Sequence, residues 1–232
     1  MLFKDKDGYP VEARLDGGDS AVRMGILALC GKDSDLKKIA SYEVESGMLT
    51  RHPKQYPWNN PRNYSRDQLM CFLAGLDKLE QRELCRRIFW SRAKSFFFAQ
   101  NTERDIPGST KYPYRHCFAR MEDGVEECRS FDFADPLMPN NIWAMIKAAR
   151  IYWLYWFAIV GIPFYIISLI GHSKGNHYEE NQLICESAIN GRWALNLYKR
   201  INIKWKDVSL KYWTDRDEIE YHDMLVELVD ET

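Results

Sequence analysis

Two polar stretches of this chain concentrate the side-chain types that move protons and grip hydroxylated or acidic ligands. The first, GGDSAVRMG, places Asp19, Ser20 and Arg23 at the start of an apolar run, with Asp16 just before it. The second runs from Arg51 and His52 through Tyr56, Trp58, Asn59 and Asn60 to Arg62, Asn63, Tyr64, Arg66 and Asp67, where another apolar run begins. Carboxyl and imidazole groups can donate or accept a proton in a reaction. Asn and Arg offer paired hydrogen bonds, while Trp and Tyr offer flat faces for stacking. The set suits a carbohydrate or an acidic small molecule. Asp19, His52 and Asp67 are therefore the candidate catalytic groups, and Arg23, Arg51, Trp58, Asn60, Tyr64 and Arg66 the candidate substrate-binding groups. Two carboxyl groups flanking a glycosidic bond would hydrolyse it by acid–base chemistry. A His or Tyr beside a neutralising Arg or Asn would instead suit a lyase acting on a uronic sugar.

Each of these residues also has a structural reading. Asp19 and Ser65 can cap helices, Arg23 and Asp67 can pair between two helices, and His52 can brace a proline-rich loop. Weaker clusters lie elsewhere. Tyr112, Tyr114, Arg115, His116 and Cys117, with Asp132 and Asp135, invite a nucleophile–base reading, but neighbours in sequence rarely face each other and no orienting third group is evident. His177, Glu179 and Glu180 have only generic metal-ligand spacing. There is no phosphate loop, dinucleotide fingerprint, HExxH, GxSxG or EF-hand loop, so several common enzyme classes are excluded. No cofactor and no metal is expected.

The elements that must hold the two polar stretches are helical. GGDS delivers the chain into a helix that is apolar almost all round except for Arg23, with Asp19 or Ser20 at its start and Gly31 just past its end. A second helix is expected over 34–46, ended by Gly47. Pro53, Pro57 and Pro61 forbid helix in the loop that follows. Ser65 and Gln68 then match the S-x-x-Q capping box before LMCFLAGL. Residues 79–100 continue as a helix with a basic and an aromatic side, the basic side reading as solvated. No period persists over 101–138, a long polar insertion in which a short hairpin over 115–133 could turn at Gly124. Pro139-Asn140-Asn141 opens a helix, with Asn140 as its expected N-cap, that runs into the next apolar stretch. Further helices are expected over 178–197 and 215–229.

That apolar stretch, IYWLYWFAIVGIPFYIISLIG at 151–171, has 21 residues without a charge, long enough to cross a hydrocarbon core. Gly161 and Pro163 interrupt its middle and its aromatics crowd the first third, which favours a buried hairpin or kinked helix over a spanning one. Membrane insertion remains the alternative. On that alternative the chain is a membrane-associated or assembly protein, for instance a viral component.

Composition bounds the rest. Thirty-two basic and 33 acidic residues leave a formal net charge of −1, which offers no whole-chain footprint for nucleic acid. The six cysteines, Cys30, Cys71, Cys85, Cys117, Cys128 and Cys185, form no CxxC pair and read as thiols in a reducing compartment. MLFKDKDGYP has no apolar signal region, so a cytoplasmic location is expected.

The combination of GGDSAVRMG at one helix start and NPRNYSRDQL at another resembles, in layout, the helical-toroid carbohydrate-active enzymes. The resemblance implies polar residues at helix starts lining a sugar cleft. The sequence is thus expected to form one all-α domain over 1–232, toroid-like or an irregular bundle of helical hairpins, directed at a carbohydrate. Its oligomeric state is left open.

Overall fold

The structure is a computed structural model that describes residues 2–12, 15–56, 58–59, 61, 64–97, 103–107, 127–131, 137–173, 180–202 and 216–232. The chain is of the all-α class, with two small antiparallel hairpins among the described residues. Two helices organise it. α1 (Ser20–Leu29) is buried along nearly its whole length and packs on α3 (Arg66–Lys78). At their crossing Gly25 and Gly75 face each other's backbones. A Cβ on Gly25 would lie 2.6 Å from Phe72 Cα and closer still to the Cys71 carbonyl, and one on Gly75 would lie 2.6 Å from the Gly25 carbonyl oxygen. Side chains are absent from the contact on both sides because the backbones themselves touch. Gly18 meets Gln68 near the start of the pair and Ala28 meets Gly75 near its end, so the helices run side by side in one direction. Their N-termini therefore share one rim.

The hydrophobic cluster continues from this pair into α4 (Arg82–Lys94), α5 (Pro139–Ala148) and α7 (Glu180–Asn190), through residues such as Ile88, Phe89, Met145, Leu183 and Ile184. α8 (Arg192–Asn202) and α9 (Arg216–Asp230) close the outer side with Leu195, Tyr198, Tyr221 and Leu225.

Several expected boundaries shift. The helix expected over 34–46 lasts only for α2 (Leu36–Ala40), whose start is capped by Asp35 accepting from the Lys37 and Lys38 amides. The chain then forms a tight hairpin of β1 (Glu43–Glu45) and β2 (Met48–Leu49), turning at Gly47 with φ of 76°. Val44 is consequently exposed. The helix expected to be capped by Asn140 and to run into the apolar stretch starts two residues earlier. Met138 is its N-cap, Pro139 supplies the favoured first position, and the Asn141 side chain accepts from the Met138 amide at 3.0 Å. It ends where Arg150 adopts a left-handed φ of 52°. The helix expected over 178–197 is divided at Gly191, φ 95°, into α7 and α8. Within the polar insertion, β3 (Glu103–Pro107) pairs with β4 (Glu127–Phe131), so the first arm lies before the expected 115–133 span. The turn expected at Gly124 falls outside the described residues.

The larger correction concerns 151–171. A 3-10 helix (Tyr152–Phe157) leads into α6 (Ala158–Ser173), with Pro163 inside it. Tyr152–His172 is long and apolar enough to cross a membrane by length and composition, yet most of it is not buried. Gly161, Tyr165, Leu169 and His172 form one narrow inward stripe. The stretch is a flank of the fold and not its centre, because the α1–α3 pair already fills that position.

The glycine crossing yields a test. Gly25→Ala should destabilise the protein by about 2 kcal/mol or more, in the range of overpacking a close contact, read as a lowered midpoint in urea unfolding. Val22→Ala, on the same helix at its one half-buried position, should change the midpoint far less.

Candidate functional site

The rim where α1 and α3 begin is held by side chains that local rules would assign to helix capping. Asp19 occupies the N-cap position of α1 but makes no capping bond. Its Oδ1 instead accepts from Gln68 Nε2 at 2.7 Å and faces Arg51 Nη1 at 3.8 Å. Gln68 also donates to the Gly18 carbonyl at 3.1 Å. Ser65 likewise makes no capping bond, because its Oγ accepts from Arg51 Nη2 at 3.0 Å. The expected capping box is therefore opened: Ser65 ties α3 to Arg51, and Gln68 ties it to the start of α1. Arg51 fixes the junction further, donating from Nη1 to the Gly18 carbonyl at 3.3 Å while its own carbonyl accepts from the Ala21 amide at 2.9 Å. Its guanidinium packs over the Trp58 ring, 5.6 Å from the centroid.

Asp19 is the group here with the clearest chemical potential. Its side chain keeps 40% of its accessible surface. Surrounding protein nevertheless raises its pKa by desolvation, and the neighbouring Asp67 carboxylate adds to the rise. Arg51, Arg23 and the Gln68 hydrogen bond oppose it. Asp19 thus combines solvent access with the desolvation that surrounding protein imposes.

The remaining sequence-derived candidates divide. His52 is buried and engaged at both ring nitrogens. Nδ1 accepts from the Lys54 and Gln55 amides at 3.1 and 3.0 Å, and Nε2 lies 3.2 Å from Asp5 Oδ2. Nε2 thus carries the proton, and burial lowers the pKa against the pull of Asp5. This histidine braces the loop. Tyr64 is fully buried, its hydroxyl donating to the Gln68 carbonyl at 3.2 Å, and burial pushes its phenol well above the usual range. Arg23 acts on Asp19 by its charge, but its guanidinium is held by other partners. Nη1 donates to the Val11 carbonyl at 2.6 Å, Nη2 lies 4.0 Å from Glu12 Oε1, and the guanidinium packs over Tyr221 at 5.3 Å. It ties the N-terminal arm and α9 to α1. Arg66 and Asp67, in the first turn of α3, are partly exposed, and Arg66 lies close enough to Glu186 to act on its charge. Asn60 lies outside the described residues, as do Arg62, Asn63, the Tyr112–Cys117 group, Asp132, Asp135, His177 and Glu179. Glu180 is buried and accepts from the Tyr198 hydroxyl at 2.7 Å. Among the described residues no cluster of three metal-ligating side chains occurs.

Sequence reasoning missed a second polar centre just behind the rim. Glu186, completely buried on α7, accepts from Asn140 Nδ2 at 2.8 Å and from Asn141 Nδ2, both at the start of α5. Gln182 adds a further hydrogen bond. Desolvation raises the Glu186 pKa to about 7, while the two asparagines, Arg66 and Gln182 hold it down. Below this carboxyl, Asn190 Nδ2 donates to the Glu186 carbonyl at 3.1 Å, and Lys147 Nζ donates to the Asn190 carbonyl at 2.7 Å. The only local signal was the adjacent Asn140–Asn141 pair, which reads equally well as capping. In chemical terms the rim offers one acid of raised pKa, a second carboxyl near it, two guanidinium groups and one indole face.

No protein family, no curated protein and no solved structure matches the chain.

Glu186 makes a testable contribution to stability. Its folded pKa of about 7 lies above the unfolded value of 4.5, so its contribution is fully present below about pH 4.5 and is lost as pH rises through 7. Glu186→Gln retains an acceptor and removes the charge. The variant should gain stability relative to the native chain across that window, by on the order of 3 kcal/mol at about 1.4 kcal/mol per pH unit. Urea unfolding of both proteins from pH 4 to 8 reads the difference. A constant difference across the range would show that Glu186 does not titrate there.

Proposed function

We propose that the rim at the starts of α1 and α3 binds a carbohydrate, with uronic sugars the best-fitting class, and that Asp19 acts there as a proton donor in cleaving a glycosidic bond. The observation that supports this most is the state of Asp19. It is solvent-reachable, held by Gln68 at 2.7 Å, and has a raised pKa beside a second carboxyl. A raised pKa keeps more of the acid protonated near neutral pH, which is what protonation of a leaving oxygen needs. Asp67 is the paired carboxyl in this reading, close enough to raise the Asp19 pKa by its charge.

The binding roles follow from the contacts. Arg51 is positioned by Ser65, Gly18 and Trp58, so its cationic fork is oriented before a ligand arrives. Trp58, which lies over Gly18 and against Arg51, supplies a face for a sugar ring. Arg66, in the first turn of α3, adds positive charge where a sugar carboxylate would sit. Arg23, His52 and Tyr64 act as supports in this reading, since their polar atoms are committed to the arm, the loop and α3. The described cysteines Cys30, Cys71, Cys85 and Cys185 are outside disulfides, which fits the reducing cytoplasm.

The test is turnover of a panel of neutral and uronic oligosaccharides, followed by released reducing ends and by absorbance of unsaturated products. Asp19→Asn and Asp67→Asn should each lower turnover about 100-fold or more while leaving the melting temperature within a few degrees. Asp19→Asn keeps the oxygen that accepts from Gln68, so the junction survives. Activity of the native chain should fall with rising pH along a limb that the Asn variant lacks. If no sugar is cleaved or raises the melting temperature, the reading is wrong.

A further inference from the structure

We infer that the outer face of α6 and the preceding 3-10 helix docks this protein on an anionic membrane surface, lying in the plane of the lipid headgroups instead of crossing the bilayer. The exposed side chains of this face are apolar from end to end. Trp153 is 68% exposed, Ile159 79% and Ile167 61%, and Tyr152, Trp156 and Ile170 stand on the same outer side. A contiguous apolar face of this length marks a surface that meets something other than water.

The chemistry around the face identifies lipid. Trp90, exposed on α4, stacks on Trp153 with ring centroids 6.3 Å apart, extending the aromatic patch onto a second helix. Arg86 and Lys94 lie one turn either side of Trp90, on the same stripe of α4. On the other flank, Trp193 packs edge-on against Tyr165 of α6, and the adjacent Arg192 and, further along, Arg200 are exposed on α8. Across α4, α5, the 3-10 helix, α6 and α8, Glu83 is the one acidic residue in the sequence. Arg86 is paired with Glu83 at 2.6 Å, so the exposed cations beside the apolar face are Lys94, Arg192 and Arg200. Tryptophans at headgroup depth, cations around them and aliphatic side chains between them are the requirements of an in-plane anchor on anionic lipid.

The packing of α6 argues against a span. Its inner side is joined to the fold along its length. Gly161 lies against Trp143 and the Pro139 carbonyl, the Tyr165 hydroxyl bonds Ser187 Oγ at 2.6 Å and the Ala194 carbonyl at 3.3 Å, and Leu169 and His172 are buried. Crossing the bilayer in this fold would carry Lys147, Glu186 and Arg192 into hydrocarbon with their helices, and charged groups are expelled from it. One side of the helix is available to lipid, and only one.

Co-sedimentation of the full chain with vesicles tests this. Binding to vesicles of phosphatidylcholine mixed with phosphatidylglycerol should exceed binding to phosphatidylcholine alone by about tenfold or more and should weaken at high salt. The double substitution Ile159→Glu and Ile167→Glu should lower binding at least about tenfold with an unchanged melting temperature, since both positions face outward. An alkaline wash should release the bound protein. Absence of vesicle binding would overturn the proposal, as would retention through the wash, which indicates a span. Equal binding by the double variant would also overturn it, as would a stable dimer that the double variant abolishes without any vesicle binding, which makes a second copy the occupant.

Discussion

The rest of the structure depends on the backbone contact between α1 and α3 at Gly25 and Gly75. A helix pair that close leaves no room for a side chain on either partner at the crossing, and it buries apolar residues on nearly every side of α1. Dispersion and area burial are then concentrated in a thin layer where small volume changes are felt strongly. Because the two helices run in the same direction, the contact also brings their starts to one end of the molecule. The polar residues ahead of each helix are forced together there, although almost fifty residues separate Asp19 from Gln68 in the chain.

Once brought together, those residues leave their local partners for distant ones. Asp19, Ser65 and Gln68 have the types that cap helix starts, and each forms its bond across the junction instead. Arg51 is the hub, reaching Gly18, Ser65 and Trp58. A capping bond satisfies one backbone donor, whereas a cross-junction bond also fixes the geometry between elements. The raised pKa of Asp19 follows from the protein that this exchange places around it.

Polarity is arranged in layers behind and beside this junction. Glu186 is the point where α3, α5 and α7 meet, and the paired Asn140 and Asn141 side chains satisfy both of its oxygens. A buried carboxyl so arranged orients three helices, since any sliding of α5 on α7 would strand a donor or an acceptor. On the far side of α5 the pattern inverts. α6 keeps its polar contacts on a single inward stripe through Tyr165 and turns aliphatic and indole groups outward. The exposed cations Lys94, Arg192 and Arg200 lie on α4 and α8, while the acidic α9 packs against α1, α7 and α8.

The sequence alone determined the class of fold, the all-round burial of α1, the start of α3 after Ser65 and the meeting of two polar stretches at helix starts. Each of these rests on short-range rules, namely hydrophobic period, proline and glycine placement, and the chemistry of residues ahead of a helix. The same local rules mistook α2 for a long helix and the Ser65–Gln68 pair for a capping box, because a hairpin and a cross-junction bond compete with them only in three dimensions. Glu186 was invisible for a related reason. A glutamate inside an amphipathic helix reads as solvated until its neighbours are known. The apolar stretch shows the division most plainly. Its composition fixes that it avoids water, but whether it does so at the centre of a fold or on its flank depends on what else fills the centre. There the glycine contact of α1 and α3 had already taken the place, and α6 was left outside with one face uncovered.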